Sequence, residues 1–307
     1  MAIIDHNTAL PPANLFTANL ACFGAMLMWA FAFPSAEILL QSWGVIALGA
    51  ARQLLAVATL LLIWICLEGR AKLSAAPWWR GRGVGGLGFG LGAILFLVGQ
   101  QLSDPVTPAI AASMMPIVGA ALEIALDGRR LRAGLVIGIL LAMAGGYLAT
   151  GVKLDNAEFG AGALLCLVSV VLFAWATRST TRNFPDLSPI GQTTITLAGG
   201  VAFMTILLAA ASLYGFEAAE IGLLDGRNIT LLLISSIASL AAAQFLWIWG
   251  AGGLGILLAS MHMNAVPFYV MVIVVLLLGD EWNWLQAAGA ALVAAGVMLA
   301  QLSNRVK

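Results

Sequence analysis

The chain has 307 residues, of which 62% are apolar and 9% charged. About a quarter of the residues in a soluble domain are charged, and a single core of this size cannot hide so much apolar surface. Fourteen basic and fourteen acidic side chains cancel, so nothing marks nucleic acid as a partner, and an all-α membrane protein is the class that remains.

A transmembrane helix needs about 20 mostly apolar residues. Ten such segments follow in chain order, at 15–37, 43–67, 83–102, 107–126, 131–151, 158–178, 189–213, 228–249, 254–278 and 282–302. They are expected to be helices, because lipid offers no water to satisfy open backbone groups. Barrel strands would be about half as long and would alternate in polarity. Residues 1–14 carry no Lys or Arg, and the apolar run from Leu15 is too long for a cleaved leader, so it is read as the first span. Cys22, Cys66 and Cys166 lie in apolar runs and are odd in number, which points to buried thiols rather than disulfides.

Eleven of the fourteen Lys and Arg fall on one side of this arrangement, among them Arg70, Arg129, Arg178 and Lys307. Only Lys153 and Arg227 fall on the other, and Arg52 lies within a span. The positive-inside rule then places both termini in the cytoplasm, and an even span count likewise requires them to share a side.

The chain repeats itself. At an offset of 151, Pro116 meets Pro267, Gly128 meets Gly279, Gly138 meets Gly289 and Gly145 meets Gly296. Trp29-Ala30 meets Trp175-Ala176 at an offset of 146. The halves, 1–151 and 152–307, each hold five spans, and an odd number forces them into opposite orientations. That is an inverted 5+5 repeat, the plan of secondary transporters whose sites lie between the halves.

These residues resemble the drug/metabolite transporter superfamily, specifically the ten-helix EamA-type exporters. The likeness rests on Trp29-Ala30, Arg52-Gln53-Leu54-Leu55-Ala56, Pro116, Gly279-Asp280-Glu281 and the Gly289/Gly296 pair, with Trp175-Ala176 and Arg178 in the second half. The first half departs from the pattern, carrying Asp127-Gly128-Arg129-Arg130 where an acidic turn is usual. Within the family the chain is most similar to YddG-type exporters of aromatic amino acids. The resemblance implies ten helices around a central cavity, alternating access and export of a small metabolite from the inner membrane.

Ionisable groups inside lipid are costly and each is a candidate for function. Arg52 is read either as a carboxylate clamp or gating partner, or as the structural partner of Glu37. His262 is read as a coupling or substrate-contacting group, or as an interhelical hydrogen-bonding one. Asn264 and Ser113 fall at matching depths of the two halves, each three residues before a proline, so Pro116 and Pro267 are candidate kinks or gates. Trp29 and Trp175 are candidate stacking faces, and Gln100 and Gln244 candidate cavity amides. Trp78, Trp79, Trp282 and Trp284 sit at span edges and fit an interfacial belt. Glu123 is expected to reach out to the basic loop after it. The step from Gly138 to Gly145, mirrored at Gly289 and Gly296, points to a tight seam between the fifth and tenth spans. Gly83-Val84-Gly85-Gly86-Leu87-Gly88 reads as a dinucleotide fingerprint, but no strand precedes it.

The expected function is export of small metabolites, foremost neutral or aromatic amino acids. Proton-coupled multidrug or other metabolite efflux is the alternative, and an intramembrane enzyme or a channel ranks below both. No cofactor or metal is expected. The expected partners are the lipid bilayer and a small-molecule substrate, with the protein acting as a monomer.

Overall fold

The computed structural model describes residues 14–102, 111–112, 114–128, 130, 132–150, 160–278 and 281–305. All regular structure among them is helical. The first apolar run is α1 (Leu15–Ala30) and α2 (Ala32–Leu39), broken at Phe31. Asn14 caps α1, its Oδ1 accepting from the Thr17 N–H at 2.9 Å. The second run, α3 (Val45–Ala75), outlasts its apolar stretch by a turn of polar residues and contains a break at Gly69, whose φ of 80° favours glycine. The third begins at α4 (Trp78–Gly85), widens into a π-helical segment at Gly86–Leu91 and ends as α5 (Gly92–Gln101). After it come α6 (Met115–Asp127) and α7 (Ala133–Thr150).

The second half opens with α8 (Ala161–Asn183) and α9 (Pro189–Leu213). Next come α10 (Gly226–Leu233), a second π-helical segment at Ile234–Ala242, and α11 (Ala243–Leu254). A short α12 (Ile256–Ser260) passes through a 3-10 turn at Met261–Ala265 into α13 (Val266–Leu278), and α14 (Trp284–Arg305) follows. Eight helices among the described residues are long and apolar enough to cross a membrane, and a shorter apolar one covers Ala133–Leu148. The expected third and second spans start earlier and end later, respectively, than hydropathy indicates, because an exposed polar turn remains helical once a helix leaves the lipid. The expected fourth span is described from residue 111 in part, and its earlier residues lie outside the described ones.

Helices pack through small residues. Lipid tails are as apolar as leucine, so association rests on close backbone approach rather than on hiding apolar surface. The expected glycine seam is present between α7 and α14. A Cβ at Gly145 would stand 2.5 Å from the Gly289 carbonyl oxygen, and one at Gly134 2.7 Å from the Ser303 Cβ. Contacts thus run Gly134 to Ser303, Gly138 to Gly296 and Gly145 to Gly289, so the two helices are antiparallel. Elsewhere α1 packs on α11 with Gly250 against Cys22, α3 on α9 with Gly49 against Met204, and α5 on α8 with Gly99 against Cys166. Finally α6 packs on α12 with Gly119 against Leu257.

Candidate functional site

Arg52 faces the second π-helical segment. Its Nη2 donates to the Ser235 carbonyl at 3.4 Å. Its Nε is buried with no hydrogen-bond partner. No ion pair to Arg52 is found among the described residues, and the side chain of Glu37, the partner considered for it, lies outside them. A π-helix is a rare element that recurs at functional sites. Here it places Ser235 near one end against Arg52, while Gln244 stands two residues past the other end.

Gln244 is buried and its Nε2 has no partner. One turn on, Trp247 is buried and donates through Nε1 to the Thr177 Oγ1 of α8 at 3.0 Å. Phe89 of the first π-helical segment, Phe173 of α8 and Trp247 form a run of rings, with centroids 5.5 and 6.2 Å apart. Gln53 is also buried, with an unpartnered Oε1 set against Gly200 of α9. A Cβ at Gly200 would come within 2.8 Å of that oxygen. Buried polar atoms without partners are costly, and Arg52, Gln53 and Gln244 hold two such donors and one such acceptor. Gln53, Phe89, Phe173 and Trp247 were not singled out by the sequence. Gln53 stands beside Arg52 in the quoted motif, which is the one signal that could have found it.

The other expected residues lie elsewhere. Trp29 and Trp175 are half-buried and pack against the main apolar core. His262 and Asn264 sit in the 3-10 turn, which packs on α7 and α14. Asn264 is buried and its Nδ2 donates to the Ala142 carbonyl at 3.2 Å, so this amide holds the turn to α7. His262 turns Nδ1 to the Leu258 and Ala259 carbonyls, both at 3.2 Å. Pro116 is the second residue of α6, where a missing N–H costs nothing, whereas Pro267 is the second residue of α13, which continues directly from the 3-10 turn. Ser113 and the side chain of Gln100 lie outside the described residues. Gln192, another amide within a span, donates to the Phe184 carbonyl at 2.9 Å.

Glu123 also has a partner on its inner side, besides whatever it offers the basic loop, part of which lies outside the described residues. It is buried, and its Oε1 accepts from the Leu257 N–H at 3.1 Å. Gly255, at φ 81°, turns the chain so that the first turn of α12 presents that N–H. A helix start leaves N–H groups unpaired, and a carboxylate both bonds them and complements the helix dipole. At the same end of the bundle Arg178 of α8 grips Asp127 of α6 side-on, through Nε to Oδ2 at 2.9 Å and Nη2 to Oδ1 at 2.5 Å. That guanidinium holds the Asp127 carboxyl below the usual carboxylate range. Ser188, at the start of α9, donates to Glu68 of α3, which also accepts from the Trp64 Nε1 at 3.1 Å.

The EamA-like transporter family model matches residues 16–151, which lie in the first half of the chain. With its apolar helices, the chain is a multi-pass membrane protein. A solved crystal structure matches with a TM-score of 0.78 at 18% identity, over 96% of this chain and 100% of the other, a likeness of fold. No curated protein matches the chain by sequence. The finer likeness to YddG-type exporters finds no support in these comparisons.

Proposed function

We propose that the chain is a secondary transporter that exports small zwitterionic metabolites, foremost amino acids with apolar or aromatic side chains. Two five-span halves, 1–151 and 152–307, form a ten-span inner-membrane protein with both termini in the cytoplasm and alternate access to a cavity between them. The observation that carries the reading is Arg52, a buried guanidinium with one long hydrogen bond and no ion pair among the described residues. A substrate carboxylate would complete it, the Gln53 carbonyl could accept from an ammonium, and the Phe89–Phe173–Trp247 run suits an apolar side chain.

The helix pairings support the inverted repeat. Exchanging each span of one half for its counterpart in the other turns the α1–α11 pair into the pair of α8 with α5. It returns the α3–α9, α6–α12 and α7–α14 pairs to themselves. The two π-helical segments fall in counterpart spans, the third and the eighth.

Uptake into liposomes bearing the full chain tests the reading. Labelled phenylalanine, tryptophan and threonine are offered with and without an imposed pH gradient. Saturable uptake is expected, and indifference to the gradient would identify facilitated diffusion. Uptake of none of the three would overturn the amino-acid assignment and turn attention to other metabolites or drugs.

A further inference from the structure

Between α1, the 3-10 turn with α13, and α14 lies an open groove of about 700 Å³, well within the range of ligand sites. Arg52, Gln53 and Gln244 do not line it, so it is separate from the site above. Its walls include Phe16, Phe23, Phe268 and Tyr269. Phe16 and Phe23 are exposed on the flank of α1, so the groove opens toward the bilayer. The floor is the face of α14 that carries Ala287, Ala290, Ala291 and Ala294, beside the face that packs its glycines on α7.

Besides the Tyr269 hydroxyl, three polar side chains enter this apolar groove. Two answer each other, because Asn19 Nδ2 donates to Gln301 Oε1 at 3.1 Å and Gln301 Nε2 donates to Asn19 Oδ1 at 2.5 Å. They close the end nearest the chain termini. The third is His262. A carbonyl can only accept, so the Nδ1 that meets two of them carries the proton. In the neutral ring Nε2 is then a lone-pair acceptor, on the edge turned away from its own helix.

We propose that this groove binds a long-chain lipid of the surrounding bilayer whose head donates a hydrogen bond, with the head on His262 Nε2 and the chain along the alanine face of α14. A hydroxyl, amide N–H or amine head fits this acceptor, whereas an ether or ester head leaves it unmet. A bilayer lipid is the occupant because the groove opens on hydrocarbon. The inference rests on the helices spanning a membrane and not on what the protein transports.

Photolabelling the full chain in nanodiscs tests it. The probes are a long-chain alcohol carrying a diazirine in its tail and the methyl ether of that alcohol, which cannot donate. Alcohol adducts are expected to concentrate on α1, α13 and α14 around Phe23, Tyr269 and Met298, several-fold above those of the ether. His262→Phe should bring the two probes level, and Ala294→Trp, which fills the groove, should suppress both. The wild-type comparison of the two probes needs no variant to fold. Equal labelling by alcohol and ether in the wild-type protein, or adducts spread evenly onto exposed Leu213 and Leu276, would overturn the proposal. Transport is not the readout, so failure here and failure of the transport reading are separate results.

Discussion

Gly138 and Gly296 meet backbone to backbone and in the same way from either side. A Cβ at Gly138 would stand 2.6 Å from the Gly296 carbonyl oxygen, and a Cβ at Gly296 would stand 2.6 Å from the Gly138 carbonyl oxygen. Gly145 and Gly289 continue the contact one repeat along. Backbone cannot retreat as a flexible side chain can, so overpacking here is expected to cost about 1–3 kcal/mol. Gly138→Ala should lower the melting temperature in detergent, and adding Gly296→Ala should cost less than the sum of the two. Gly83→Ala is the control, since nothing lies within 4 Å of its added Cβ, and it should be neutral or slightly stabilising.

Arg52→Lys and Arg52→Gln should separate charge from geometry at the candidate site. Loss of a charge-assisted hydrogen bond costs about 1.5–3 kcal/mol, so Arg52→Gln should raise KM for a transported amino acid by about 10–150-fold. Uptake of the corresponding amino-acid amide, which has no carboxylate, should change little. Equal losses for both solutes would reassign Arg52 to a structural role.

Glu123→Gln keeps an acceptor for the Leu257 N–H, whereas Glu123→Ala leaves that buried donor without it. An unsatisfied buried donor costs about 1–3 kcal/mol, so the Ala variant should melt well below the Gln variant. A carboxylate serving only the exposed basic loop would give two variants of equal stability.

The Asp127 carboxyl is held low by Arg178. Such a group stabilises the fold above its ordinary pKa and loses that contribution as pH falls through the lowered folded-state value. The pair is partly exposed, so its worth is about 1 kcal/mol or less. On acidification below the ordinary carboxylate range, near pH 4, the wild type should lose the part of its melting temperature that Asp127→Asn already lacks at neutral pH. Parallel pH profiles for the two proteins would show that the pair contributes nothing.

A reporter fused after Lys307 should be active only if it is a cytoplasmic-type reporter. Activity of a reporter that requires the outer side would invert the proposed topology.

Much of the bundle was legible because hydrophobic length is nearly sufficient to mark a helix in lipid. The seam of α7 and α14 was legible too, since close approach requires glycine and the seven-residue step recurs in both halves. The π-helical segments were not. A change of hydrogen-bond register leaves no mark in composition, and Gly86–Leu91 reads as apolar glycine-rich sequence whether α or π. The contact of Glu123 with the Leu257 N–H left no mark because that partner is 134 residues away and becomes available only where Gly255 starts a new helix. Gln53 went unmarked because nothing in its own neighbourhood reveals that Gly200 leaves room for it. Of the expected pathway residues, Asn264 proved to be tied to a neighbouring backbone, which sequence pattern cannot distinguish from an open amide.

The segment Ile234–Ala242 has a mechanical meaning beyond holding Arg52. A stretch bonded five residues apart houses one residue more than the α-helical turn it replaces. Each residue of an α-helix turns the chain by about 100°. Shifting that surplus residue along the helix would swivel Gln244 and Trp247 around their own axis while almost every backbone hydrogen bond stayed made. The surplus residue is thus a built-in means of changing which side chains point inward while the segment stays helical.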